Sequence, residues 1–280
     1  MTEARQPVGD AANEPESGPE SGGDRAAFIQ TLARGLDVLG AFDSEHPSMT
    51  LSQVAERAGI PRAAARRFLM TLQALGFVRS YGRQFALTPQ VLKFGFSYLA
   101  TLRLPDVARP HLHAFGREAG ESVALAILDG DSVVFVAVAA AEGRFLSVTL
   151  DLGMRLPWYV ASSGRVLVAC SPEEVRERLL TSADLVPFTA TTTTDPDELR
   201  PLLAQVRENG FAVVDDELED GIHAIAVPVH DEDGTVIAAL NVVSVTRGLS
   251  IEQQTERLLP LLRDTAAAIE RDYRASNHGQ

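Results

Sequence analysis

Two amphipathic segments, TLSQVAERA and RAAARRFLMTLQALGFV, are separated only by Gly59-Ile60-Pro61. That spacing restricts what the chain can fold into more than any other feature. Thr50 or Ser52 suits the N-cap of a first helix, with Leu51, Val54, Ala55 and Ala58 along one face. Gly59 is a helix stop, and Pro61, with no N–H and a fixed φ, is suited to open the next helix. Helix, short glycine turn, helix is the helix-turn-helix arrangement. Upstream, FIQTLARGLDVLGAFD has apolar residues Leu32, Leu36, Leu39 and Phe42 at helical spacing, which predicts another helix. Downstream, FVRSYGRQFALTP reads as two short alternating strands around Tyr81-Gly82-Arg83, which makes a wing.

The helix after Pro61 divides by angle. Ala65, Phe68, Leu69 and Leu72 form the core stripe, while Ala63, Arg66, Arg67 and Met70 lie almost opposite, flanked by Arg62 and Thr71. A solvated face would mix Glu and Lys at i+4 spacing, and this one carries no acid. Residues 25–104 hold nine arginines and Lys93 against Asp37, Asp43, Glu45 and Glu56, in a chain of formal charge -13. A basic block inside an acidic chain is the footprint of a nucleic-acid-binding module joined to something else. Small Ala63 allows close approach to base edges, and Arg62, Arg66, Arg67 and Thr71 supply donors for guanine or phosphate. Arg79 and Arg83 of the wing are placed to reach backbone or minor groove. The expected partner is double-stranded operator DNA.

The first 24 residues, with one arginine and six acids among Gly, Pro and Ser, read as a disordered tail. No signal peptide is visible and no apolar run approaches the ~18 residues of a membrane span, so a cytoplasmic protein is expected. The DNA-binding unit is expected over 25–88 and a linker helix over 89–104, followed by a helix from Pro105 to Glu118. Phe94, Tyr98 and Leu102 form a linker stripe of the kind that pairs with a second copy. Beyond residue 121 come strands SVALAILDG, DSVVFVAVAA, FLSVTL, GFAVVDDE, HAIAVPVHD and TVIAALNVVSV. Amphipathic helices PEEVRERLL, DPDELRPLLAQVRENG and SIEQQTERLLPLLRDTAAAIERDY alternate with and follow them. The second domain, 105–275, is therefore α+β.

Its most chemical stretch is GMRLPWYVASSGRVLVA. A strand is expected to end near Arg155 and a helix to begin at Ala161 to Ser163, offering unpaired amides and the Ser162 and Ser163 hydroxyls to a carboxylate, with Arg155 upstream. Ser162 as a simple N-cap fits the residues equally well. Cys170, the only cysteine, lies in an apolar run and reads as a small buried side chain.

RAAARRFLMTLQALGFV, with the helix and glycine turn before it, resembles the IclR family of bacterial transcription regulators over residues 28 to 273. It is most similar there to regulators of protocatechuate, 4-hydroxybenzoate and β-ketoadipate catabolism. The resemblance implies a winged helix-turn-helix domain, a linker helix that supports dimerisation, and a GAF-like effector-binding domain. It also implies a homodimer or dimer of dimers and a small aromatic or dicarboxylic acid held at the start of the helix at Ser162. Carried over by position, Asp215 or Glu217, Ala224, Asn241 and Val243 would line the pocket. Trp158, Tyr159, Ala224 and Val243 stand where relatives are often more polar, so a more apolar pocket is expected, with Trp158 or Tyr159 against an aromatic ring.

An enzyme is the alternative. His111, His113, His223 and His230 have no metal-site spacing, ASSGR lacks the first glycine of a nucleophile elbow, and no phosphate loop or G-x-G-x-x-G is present. Neither metal nor cofactor is expected. A serine hydrolase using Ser162 on a small aromatic ester is the competing reading.

Overall fold

The computed structural model describes residues 28–141, 150–182, 184–245 and 250–277. The acidic tail and all but the last residue of FLSVTL lie outside them. The chain divides into two compact units, residues 1–94 and 95–280.

In the first unit, α1 (Gln30–Gly40), α2 (Leu51–Arg57) and α3 (Arg62–Ala74) enclose a core of Val38, Phe42, Met49, Val54 and Leu69. Thr50 caps α2 in a reciprocal box: its hydroxyl accepts from Gln53 N, and Gln53 Oε1 accepts from Thr50 N at 2.9 Å. Gly59 sits at φ +61°, where a side chain would be strained, and the Ile60 N–H returns to Ala55 O. β2 (Val78–Tyr81) and β3 (Gln84–Leu87) meet through the two-residue turn Gly82-Arg83, and β1 (Ser48–Thr50) adds to β3 in the order β1-β3-β2. β1 was not legible, because three residues are too few to display alternation. The apolar residues spaced along α1 divide between core and solvent, with Leu39 packed against the core. Val38 is its buried residue, whereas Leu32 and Leu36 are 61% and 59% exposed.

The break between units falls inside α4 (Leu92–Leu99), which follows a 3₁₀ turn over Pro89–Val91. Phe94 stacks on Phe77 with ring centroids 5.5 Å apart, and Leu99 packs against the second unit's core. The next helix, α5 (Arg103–Ala119), starts two residues before Pro105, which its first turn tolerates.

The second unit is one antiparallel sheet in the order β6-β5-β4-β9-β8-β7: β4 (Ser122–Asp129), β5 (Ser132–Ala139), β6 (Arg155–Pro157), β7 (Ala212–Asp215), β8 (Ile222–His230) and β9 (Val236–Val245). Alternation sends Val123, Leu125, Leu240 and Val242 to one face, covered by α5 and α9 (Ile251–Asn277). Ala124, Ala126, Ala226 and Ala239 point to the other face, which meets α6 (Ser162–Cys170), flanked by α7 (Glu173–Ser182) and α8 (Pro196–Asn209). Four alanines in that position let α6 lie close to the sheet, and every residue from Ser162 to Ala169 is buried. β6 begins at Arg155 and ends at Pro157, so the strand expected to finish near Arg155 instead starts there.

Candidate functional site

On α3, Ala65, Leu69 and Leu72 are buried, which turns Arg62, Ala63, Arg66, Arg67, Met70 and Thr71 to solvent. Arg62, Arg66 and Arg67 make no ion pair among the described residues. Arg57 on α2 contrasts with them: it donates to Ala41 O at 2.8 Å and pairs with Asp43. The Thr71 hydroxyl donates back to Arg67 O at 3.0 Å, leaving its lone pairs outward. In the wing, the Arg79 guanidinium lies 4.8 Å from the Tyr81 ring centroid, and Arg83 is exposed on the turn. The face is cationic and free of acids, a surface suited to a polyanion.

Within the second unit, a cavity of about 30 Å³, room for about one water, lies between the α6 N-terminus and the sheet. Phe135, Leu156, Val160 and Leu218 enclose it. The row Val214, Ala224 and Val243, paired in register across β7, β8 and β9, forms part of one wall. Among the described residues Ser162 and Asn241 are its polar ones, and there neither Ser162 Oγ nor Asn241 Oδ1 has a hydrogen-bond partner. Ser162 makes no cap bond. Buried polar atoms without partners are costly in a folded chain, and these two face a cavity beside the free amides of a nine-residue helix.

Of the residues expected at this site, the structure brings together Ser162, Ala224, Asn241 and Val243 in the lining. Ser163 is buried beside them, its Oγ also without a partner. The others stand elsewhere. Arg155 is on the surface, donating to Asp129 Oδ2 at 2.6 Å. Trp158 is fully buried in the core, edge-on to Tyr159. The Tyr159 hydroxyl accepts from Val186 N and donates to Val186 O, each at 2.9 Å, and burial raises its pKa above the usual phenol value. Asp215 has the wrong strand parity: Val214 faces the cavity, while Asp215 pairs with His223 on the row behind it. Glu217 binds Arg165 at 2.6 Å and accepts from Thr193 N at 2.9 Å, and that ion pair is buried.

Arg165 also donates to Tyr159 O at 2.8 Å, so the one arginine on α6 ties the Trp158–Val160 turn to the loop after β7. Gly164 makes this approach possible, since a Cβ there would sit 2.2 Å from Trp158 O. Phe135, Val160 and Leu218 were missed because sequence alternation does not reveal which strands become neighbours. Val214 was recoverable, from its register opposite Ala224.

Asp215, Asp216 and His223 bring ligand atoms within 4.8 Å of one another, a cluster that sequence spacing concealed. Asp216 Oδ1 is already engaged by the Gly221 N–H at 2.6 Å, closing the turn that leads into β8. Among the described residues no base reaches the Ser162 hydroxyl, and a serine nucleophile would need one for activation. Cys170, expected inside, is exposed at the end of α6. Partial desolvation raises its thiol pKa, against the pull of Arg207 and Arg176.

Comparison with known proteins matches residues 31–81 to the IclR helix-turn-helix domain and 96–271 to the C-terminal domain of bacterial transcriptional regulator IclR. The Pca regulon regulatory protein of Pseudomonas putida is 40% identical over 235 residues, 84% of this chain and 81% of that protein. The p-hydroxybenzoate hydroxylase transcriptional activator of Acinetobacter baylyi is 37% identical over 85% of this chain and 90% of its own length. An IclR homologue from Microbacterium hydrocarbonoxydans, solved in complex with 4-hydroxybenzoate, superposes with a TM-score of 0.75 at 31% identity. That match covers 88% of this chain and 99% of the other.

Proposed function

The chain belongs to the IclR family of bacterial transcriptional regulators, and from that premise we propose how its two units divide the work. It is a DNA-binding regulator of the aromatic-acid-catabolism type and not an enzyme; its relatives are regulators, and nothing among them supports a hydrolase. The acid-free arginine face of α3 carries the DNA reading. Arg62, Arg66 and Arg67, with Ala63 and Thr71, enter the major groove, and Arg79 and Arg83 of the wing touch the flanking backbone or minor groove.

The effector is a small aromatic acid. Its carboxylate meets the Ser162–Gly164 amides and the Ser162 and Ser163 hydroxyls, its polar substituent meets Asn241, and its ring lies against Phe135 and Val160. Among the described residues no arginine lines the cavity, and the neutral donors and the helix dipole face the charge. A cavity of about 30 Å³ must widen to admit a ring, which makes binding selective for one arrangement of the walls.

A homodimer or dimer of dimers, acting in the cytoplasm, completes the reading. Phe28, Ile29, Leu32 and Leu36 on and before α1, and Leu92, Phe94, Phe96 and Tyr98 on α4, are each between 49% and 67% exposed. Exposed large apolar side chains grouped in this way mark interaction surfaces. No helix among the described residues is long and apolar enough to cross a membrane.

The test is fluorescence anisotropy on an operator selected from random DNA, with and without 4-hydroxybenzoate. Expected are specific binding that weakens steeply with salt and a ligand-dependent change in affinity. A flat salt response would refute the α3 assignment. Unchanged affinity at saturating ligand would refute the control.

A further inference from the structure

Behind the effector cavity, at the opposite end of α6, lies a second and larger opening of about 390 Å³. It exists because β7 is short. β7 pairs with β8 only from His223 to Ala226, and past that point the edge of β8 is uncovered. Little backbone is offered there for another strand. Pro228 has no N–H, and the His230 N–H donates to Glu270 Oε1 at 2.8 Å. Whatever enters the notch meets side chains.

Those side chains are sorted by chemistry. The floor is apolar, built from Val166 of α6, Val227 of β8 and Ala266 of α9, all buried. Arg207, in the last turn of α8, makes no ion pair among the described residues and lines one side with Arg263. Arg263 is held in place: it donates to Asn209 O at 3.0 Å and lies 5.4 Å from the Phe211 ring centroid, which leaves further N–H groups for a ligand. The other side carries His230 and Glu270, joined at 2.7 Å. Two guanidinium groups, an apolar floor and a His–carboxylate pair match a molecule with an acid at one end, a ring and a hydroxyl at the other.

We propose that this cleft is a second ligand site, for a hydroxylated aromatic acid. The carboxylate lies between Arg207 and Arg263, the ring rests on Val166, Val227 and Ala266, and the hydroxyl meets Glu270 and His230. The site shares helix α6 and strand β8 with the effector cavity: on α6 Ser162 lines one and Val166 the other, four residues along a single buried helix, and on β8 Ala224 and Val227 do the same. A ligand that moves α6 at one end changes the other, so the two sites are coupled.

Titration calorimetry of the full chain with 4-hydroxybenzoate separates this proposal from the effector reading. Two sites per chain are expected, with Arg207→Gln/Arg263→Gln weakening one of them by about tenfold or more and Asn241→Leu removing the other. Ala267→Phe, at an exposed lining residue of α9, fills the cleft and gives the same loss if the double variant folds poorly. A single site lost in Asn241→Leu and intact in both cleft variants would overturn the proposal, as would no binding at all. A single site lost in the cleft variants and intact in Asn241→Leu would uphold the cleft and remove the cavity as effector site.

Discussion

Arginine serves opposite ends in the two units. On α3, Arg62, Arg66 and Arg67 project from a helix whose other face is core, and no carboxylate among the described residues holds them. On α6, Arg165 is 4% exposed at its side chain and is held by Glu217 and Tyr159 O. An arginine left free at a surface keeps its donors for something that arrives from outside. One neutralised inside the fold positions neighbouring segments and has no charge to give a ligand. The contrast accompanies an α3 face that is exposed and cationic and a cavity at the start of α6 whose described lining carries no charge.

Breaking the buried pair should produce the largest effect. Arg165→Ala leaves Glu217 charged, buried and short of a partner, at a cost of about 3–5 kcal/mol, read as a drop in the denaturation midpoint. Arg165→Met with Glu217→Leu removes both charges and should recover most of that loss. If Arg165→Ala is as stable as the parent chain, the pair is not the tie it looks like. Arg67→Ala should reverse the pattern. Operator affinity falls by about 1–3 kcal/mol while the melting curve stays within about 0.5 kcal/mol, since the side chain touches little of its own protein. Equal losses of stability and binding would erase the distinction between the two arginines.

Asn241→Leu sharpens the comparison inside the second unit. Its Oδ1 faces the cavity without a partner, so replacing it should leave stability unchanged or slightly raised, within about 1 kcal/mol. Affinity for 4-hydroxybenzoate should drop in the same variant. A large destabilisation would mean that Asn241 is structural.

The first unit was more legible than the second for a physical reason. Its elements are local: the capping box, Gly59, Pro61 and the Tyr81–Gln84 hairpin all act within a few residues, so spacing alone placed α2, α3 and the wing. Periodicity identifies the apolar stripe with Leu32 and Leu36 but not what covers it, and both are exposed. In the second unit the strands and helices were recoverable, yet the cavity depends on register between distant strands. The resemblance implied Asp215 or Glu217 by position, and a one-residue change of parity puts Val214 on the wall and Asp215 behind it. Arg155 read as a carboxylate binder because it precedes α6, but β6 is an edge strand and turns it to Asp129.

The smallest effect belongs to Asp43, the acid of the first unit that lies nearest to a structural role. The His46 hydrogen bonds hold its carboxyl below the usual aspartate value, and Arg57 adds to that. A depressed folded pKa contributes stability that is present above the unfolded value of about 3.9 and is lost as pH falls through the folded value. Asp43→Asn should therefore lower the melting temperature slightly at neutral pH, with the gap to the parent chain closing in acid. Glu252 at the start of α9 is held low in the same direction by Ser250, so the second unit also weakens in that window. Only the difference between the two melting curves isolates the first unit. A gap that persists unchanged at low pH would mean that Asp43 acts through shape and not through charge.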